Sequence, residues 1–440
     1  METNLFLKGV RVVEPGHENH NAVCHLHIAE GRVNLVPVVP DDAPNVWDGD
    51  NGRLCVSLGW WDGQVDFGEP GAEEREGMDT GLAAAAAGGV TNVVHVASTE
   101  PCVDSQADVN FLLQQAQRSP SPTQLHPLGT ISRGRAGQVL SDMRELLAAG
   151  VAGFSEDGSV DSPELLRRAL EYLQPMNPPV LAQPLESSLH RDPLMHEGLT
   201  STMMGLQGTP AEAETMRLKR DLDILRYTGG HLHFPVITTA AACEHIRAAK
   251  NEGLQVTCGT TAFHLLCTDE DLAGFDATLK VMPPFRTPKD RQALCEAVWD
   301  GTIDCVVSDH KPWNLERHDV EFMLVPFGMA GIEWTFPILN GALARFRPAA
   351  KEVERAEVIW RVLASGPRRV FGGGHSPQTM FSPSPGNLAL TVFSMDGPWS
   401  PKRNSRAANQ PSDAMAAEAL GVPHGLITAK GALKLRPADR

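Results

Sequence analysis

The chain has no apolar run approaching the roughly 20 residues a membrane-spanning helix needs, so a bilayer is not an expected partner. Positive charge is scarce: 38 Lys and Arg stand against 54 Asp and Glu, a formal net charge of −16. Phosphate backbones call for a basic face, so nucleic acid is not expected either. The eight cysteines form no Cys-x-x-Cys pair, which removes the commonest cysteine zinc and redox signatures. Most lie in apolar strand or helix patterns and read as buried free thiols of a reducing compartment. There is no G-x-S-x-G elbow, no P-loop and no strand–GxGxxG–helix pattern, so nucleophilic-serine and nucleotide chemistry have no motif to rest on. The opening METNLFLKGVRVVEPG lacks a basic region followed by an apolar core, and the expected location is the cytoplasm.

What the chain does have is length and alternation. Its 440 residues, 42% hydrophobic and 21% charged, have an ordinary globular composition and suffice for a large core. Residues 1–58 alternate apolar and polar in the short runs LFLKGVRVV, CHLHIAEGRVNLVPVV and RLCVSLG, which is strand patterning punctuated by Gly and Pro. From 59 to 372 short strand patterns alternate with longer helical ones. Strands are predicted at 90–96, 124–130, 152–157, 179–185, 231–237, 255–261, 277–283 and 303–309. Helices are predicted in DVNFLLQQAQRS, SPELLRRALEYL, AACEHIRAAKNEG and KDRQALCEAVWDG. Strand-then-helix units imply a parallel sheet, and about eight of them suggest a closed (β/α)8 barrel of TIM type rather than an open doubly wound sheet. After the Gly/Pro/Ser-rich stretch 371–386, NLALTVFS and HGLITAKGALKL read as strands again. Segment 397–412, rich in Pro, Ser and Arg, reads as a mobile loop.

Residues 59–71 read GWWDGQVDFGEPG, and further along come GLAAAAAGGVTNVV (81–94), FSEDGSV (154–160), KVMPPFRTPKDRQAL (280–294), DGTIDCVVSDHKP (300–312) and FGMAGIE (327–333). In this order they resemble the dihydroorotase family, the long bacterial type within the amidohydrolase superfamily. The PPxR-x-x-x-DR-x-x-L run and the late DH-x-P are the most specific of these motifs. The resemblance implies a barrel over 59–372 and a small β-sandwich built from both chain ends, 1–58 and 373–440. It also implies zinc, held by histidines and carboxylates at strand C-terminal ends, where the metal lowers the pKa of a bound water to about 7.

The places that would hold zinc are changed. Where the first strand of the family ends in His-x-His, this chain has Gln64 and Asp66. The frame around them, Gly59, Trp60, Asp62, Glu69, Pro70 and Gly71, is intact. The bridging carboxylate falls on Glu156 or Asp157. The next histidine place is Gln183 or Pro184, and the one in the HFxH-ST-A pattern is Val236. All four histidine places have thus lost histidine, while the carboxylate places survive, among them the strand-end acid that also shuttles protons, Asp309, which is the candidate catalytic residue. No metal-ligand set is therefore assigned and no cofactor is expected. Oxygen-only remnants favour a harder ion over zinc if any metal enters. A relocated site would draw on His95, His126, His233, His264 and His310, although His126 and His233 match histidines that are not ligands in the family.

Substrate contacts are altered as well. The carboxylate-clamping Arg of the family is Gly68 here, and the Asn of its P-N-T-x-P turn is Ser98. The Asn before PPxR is Met282, while His310 keeps its place beside Asp309. Ser98 and His310 are thus the candidate substrate contacts. Loss of a bidentate Arg clamp removes much of the recognition of a carboxylate. Three readings follow: a catalytically defective dihydroorotase-like protein serving as a non-catalytic partner, of aspartate transcarbamoylase or by self-association; a cyclic-amide hydrolase, dihydroorotate included, with altered metal use; and a small-molecule binding protein using the emptied pocket.

Overall fold

The computed structural model describes residues 4–189, 192–372, 379–381, 388–399, 404–428 and 430–435. Eight parallel strands follow the chain: Trp60–Val65, Val90–His95, Gln124–Pro127, Phe154–Ser155, Pro179–Leu181, His231–Phe234, Val256–Thr261 and Cys305–Val307. Each is followed by a helix: Met78–Ala87, Gln106–Arg118, Met143–Ala149, Pro163–Leu173, Ala211–Thr228, Ala240–Asn251, Pro288–Asp300 and Thr335–Phe346. The first three strands form one ladder and the last five another. Single parallel bridges, Gly129 to Phe154 and Val65 to His310, join the ladder edges at the two seams. This is the (β/α)8 plan expected from the alternation.

Local chemistry explains the helices. Ser105 and Asp108 make a reciprocal capping box on the second, and Thr287 and Asp290 make another on the seventh, with Pro288 in its first turn. The fourth, Pro163–Leu173, turns Leu165, Leu166, Ala169, Leu170 and Leu173 inward. Each leucine so buried contributes about 1.5–3 kcal/mol.

One predicted strand is absent. Residues 277–283 form a 3-10 turn over Ala277–Leu279, because the Asp276 carboxylate accepts from the Thr278 N–H and bends the chain. Lys280 then points inward, and its ammonium donates to the carbonyls of Phe322, Met323 and Val325.

Both chain ends enter one eight-stranded sheet. Ala389–Ser394 lies antiparallel to Leu54–Leu58, and Val422–Thr428 and Gly431–Lys434 extend it on that side. Trp60, almost fully buried, packs between Phe336 and Phe393 at 4.5 and 5.0 Å and so ties the sheet to the barrel. Residues 373–378 and 382–387 of the Gly/Pro/Ser-rich stretch lie outside the described residues.

The mobile loop expected at 397–412 is a correction, apart from 400–403, which lie outside the described residues. Residues 404–411 form a buried strap. Asn404 donates its N–H and its side-chain amide to Glu333, and Ser405 donates its hydroxyl to Glu76. The Asn409 side chain accepts from Trp313 N–H and donates to the carbonyls of Lys311 and Gly328, all at 2.9 Å. Composition suggested disorder, but distant side-chain bonds impose order. Asn409 is fully buried, so Asn409→Ala is expected to destabilise the protein by about 2–3 kcal/mol, read as a lower urea midpoint.

Candidate functional site

The strand C-terminal ends and the loops that follow them bring Gln64, Asp66, Ser98, Asp157, Gln183, Asp309 and Lys311, all half-buried, to the barrel mouth. The retained frame explains the local shape. Asp62 accepts the Ser308 N–H on both carboxylate oxygens and the Gln64 N–H on one, which fastens the first strand to the eighth. Glu69 accepts the Met78 N–H and caps the first helix. Gly71 sits at φ +106, and a side chain there would collide with Glu100 at 2.3 Å. These residues serve the scaffold whether or not a metal is held.

The residues at the places that the resemblance marks for metal ligands are hydrogen-bonded within the protein. The Gln64 side-chain amide donates to Asp309 Oδ1 at 2.7 Å. The Gln183 amide donates to the carbonyl of Val236 at 2.7 Å, and the Val236 side chain is fully buried and apolar. Asp66 accepts the Gly68 N–H at 2.9 Å and the Arg75 guanidinium at 2.8 Å. Of the two bridging candidates, Asp157 faces the mouth, in a left-handed conformation at φ +50, and accepts the Ser98 hydroxyl. Glu156 turns away to the Ser132 N–H and hydroxyl.

Electrostatics follow from these contacts. Burial pushes the Asp309 carboxyl up to about 6; Asp157 and Asp66 add to the rise, while Lys311 and the Gln64 amide oppose it. Burial also acts to raise Asp66, but Arg75, Lys311 and His95 together hold it below the ordinary carboxylate range.

The sequence-predicted residues therefore separate. Asp309 and Ser98 reach the mouth. His310 is buried: its ring meets the edge of Phe67, its Nδ1 accepts the Ile332 N–H at 3.4 Å, and its Nε2 lies 4.0 Å from Glu76 with no hydrogen-bond partner. The other four histidines are dispersed among separate partners. His95 accepts from Phe67 N–H, His126 stacks on Trp61 and bonds Asn92, His233 bonds Thr257, and His264 sits between Thr261 and the carbonyl of Pro283. The cysteines are free thiols; burial pushes Cys55, Cys258 and Cys295 up to about 12, far from a reactive thiolate.

The zinc that the resemblance implies does not fit these residues. One ligand place is a valine, two are amides already spent on protein acceptors, and Asp66 is neutralised by an arginine. Among the described residues, no three His, Cys, Asp or Glu side chains are gathered to hold a metal ion.

Sequence reasoning missed Arg75, Lys311 and Trp313. Arg75 donates its Nε to the carbonyl of Pro312 at 3.0 Å and lies 4.2 Å over the Trp313 ring. In sequence it sits in AEEREG, which reads as a solvated charge run. Gly68, at φ +75, has no room for the family's clamp: a Cβ would meet the carbonyl oxygen of Ala72 at 2.6 Å. The arginine of the PPxR motif, Arg286, is buried and donates to Thr238, His196 and the carbonyl of Thr209, so it braces the frame. Among the described residues no helix is long and apolar enough to cross a membrane.

Comparison with known proteins places this geometry. A family model described as dihydro-orotase-like matches residues 52–242. The chain is 35% identical to the dihydroorotase of Geotalea daltonii over 339 residues, 76% of this chain and 79% of that one. It is 36% identical to the dihydroorotase of Anaeromyxobacter dehalogenans over 378 residues, 84% and 85% of the two chains. Among solved structures, the L-hydantoinase (dihydropyrimidinase) from Arthrobacter aurescens matches with a TM-score of 0.81 at 17% identity, over 100% of this chain and 97% of that one. The dihydropyrimidinase from Brevibacillus agri matches with a TM-score of 0.79 at 16% identity, over 99% and 95%. At these identities the structural likeness is one of fold: an α/β barrel with an attached β-sandwich.

Proposed function

The chain belongs to the dihydroorotase family, and from that premise we propose that it is a catalytically silent member, a dihydroorotase-like protein of pyrimidine synthesis that acts as a non-catalytic partner of another subunit. One observation carries the reading: the groups at the ligand places are satisfied by the protein itself, Gln64 on Asp309, Gln183 on the carbonyl of Val236 and Arg75 on Asp66. An activated water needs a Lewis acid to lower its pKa or a free base to take its proton. Asp309 alone, half-buried and hydrogen-bonded, is a poor substitute. Gly68, Ser98 and Met282 in place of the family's recognition residues leave a carboxylate substrate without its clamp.

The scaffold supports a partner role. The residues the family retains, Asp62, Glu69, Gly71 and Arg286, brace the barrel. Leu199, Met203, Leu315, Met323 and Leu324 expose apolar side chains on the segments that follow the fifth and eighth strands. Aspartate transcarbamoylase from the same source is the proposed partner.

The test has two parts. Purified chain is expected to interconvert dihydroorotate and carbamoyl-aspartate no faster than background, and turnover near 1 s⁻¹, the low end of ordinary enzymes, rejects the silent reading. Gel filtration with the transcarbamoylase is expected to give a joint complex. A chain that elutes alone at every concentration favours the small-molecule reading, for which the half-buried Lys311 is a cation at the mouth.

A further inference from the structure

The mismatch between these residues and a zinc centre has a specific form. A metal ion in a barrel of this kind would supply fixed positive charge against the strand-end carboxylates. This chain has three of them at the mouth, Asp66, Asp157 and Asp309, and two cations of its own beside them. Arg75 is held on three sides. Its Nη2 meets Asp66 at 2.8 Å, its Nε donates to the carbonyl of Pro312, and its plane lies over Trp313. Trp313 is itself fixed, with its indole N–H on the carbonyl of Phe327 and its backbone N–H on Asn409 of the strap. The guanidinium is thus preorganised and nearly buried, with a side-chain exposure of 10% against 14% for Asp66. A pair this buried interacts in a lower dielectric than a surface pair does. Lys311 adds a second positive charge that acts on both Asp66 and Asp309.

We infer that Arg75, backed by Lys311, takes the charge-balancing place of the metal ion, so that this barrel mouth holds itself together without a divalent cation. The inference rests on the silent-member reading. Arg75 is then a positioning residue: it fixes Asp66 and, through Pro312 and Trp313, links the first strand end to the loop after the eighth.

The test is urea unfolding of the full chain and of Arg75→Met, Asp66→Asn and the double variant, each with excess EDTA and with excess zinc. Each single change is expected to lower the folding equilibrium constant about 100-fold, because it leaves one buried charge unpaired. The double variant is expected to be at least about tenfold more stable than the product of the two single losses predicts. Neither EDTA nor zinc is expected to move the native chain. Arg75→Lys, which keeps the charge, is expected to retain this indifference to metal and to fold even if Arg75→Met does not. Additive losses, a native midpoint that falls in EDTA and recovers with zinc, or failure of both Arg75 variants to fold overturns the inference. Dihydroorotate turnover, measured on the same native sample, reports separately on the silent-member reading. Turnover without metal sensitivity rejects that reading alone, and metal sensitivity without turnover rejects the charge-balance inference alone.

Discussion

Lowering the pH from 7 to 5 is expected to destabilise the folded chain by on the order of 4 kcal/mol, an effect set by the barrel interior rather than by the mouth. Burial holds His126, His231 and His264 down at about 4, and His233 and His310 at about 3. In the unfolded chain the same imidazoles take up protons near 6.5. Between about 6.5 and 4 the unfolded state therefore binds more protons, and stability falls as pH falls, by up to about 1.4 kcal/mol per imidazole per pH unit. Three buried carboxylates oppose this: Asp62 is raised to about 7, and Asp221 and Asp309 to about 6. Their folded-state pKa lies above the unfolded one, so their contribution grows as pH falls through those values. Four more depressed imidazoles (His95, His196, His245 and His424) and four raised glutamates (Glu14, Glu76, Glu156 and Glu333) act on the two sides in equal number. Five imidazoles against three carboxylates leave the imidazoles ahead. Urea midpoints at pH 7, 6 and 5 decide it, and a midpoint that holds or rises on acidification shows that the imidazoles are not buried as described.

The barrel was legible in the chain because strand and helix periods differ and alternate. Gln64 and Asp66 stood out because a fixed motif, with Asp62, Glu69 and Gly71, surrounds them. What stayed hidden depends on contacts between distant residues. The strap at 404–411 looks disordered in composition, yet its order comes from Glu76, Glu333 and Lys311, which lie many residues away. Arg75 is surrounded by glutamates in sequence, and only the fold brings it to Asp66. The reverse error occurred at 277–283, where the alternation suggested a strand but the Asp276 side chain makes a turn. His310, selected for its neighbour Asp309, shows how one residue along a strand end changes which way a side chain points.

Glu214→Ala is expected to cost at least about 4 kcal/mol, more than any single neutral change at the mouth, because it removes the hub of the frame. Glu214 lies fully buried on the helix Ala211–Thr228. It accepts the backbone N–H groups of Thr238 and Thr239 at 2.9 and 3.0 Å and both of their hydroxyls, and the Arg286 guanidinium stands 3.9 Å away. Alanine leaves four donors unsatisfied and one buried cation without its nearest counter-charge. Thr238 and Thr239 belong to the same HFPVITTA segment as Val236, and Arg286 belongs to the PPxR motif. Gln64→Leu, by contrast, removes one bond to a half-buried carboxylate and is expected to cost about 1 kcal/mol. The silent-member reading predicts this asymmetry, with a brittle frame and a tolerant mouth. Paired urea melts of the two variants measure it, and a Gln64→Leu loss equal to that of Glu214→Ala would mean that the mouth is still under structural demand.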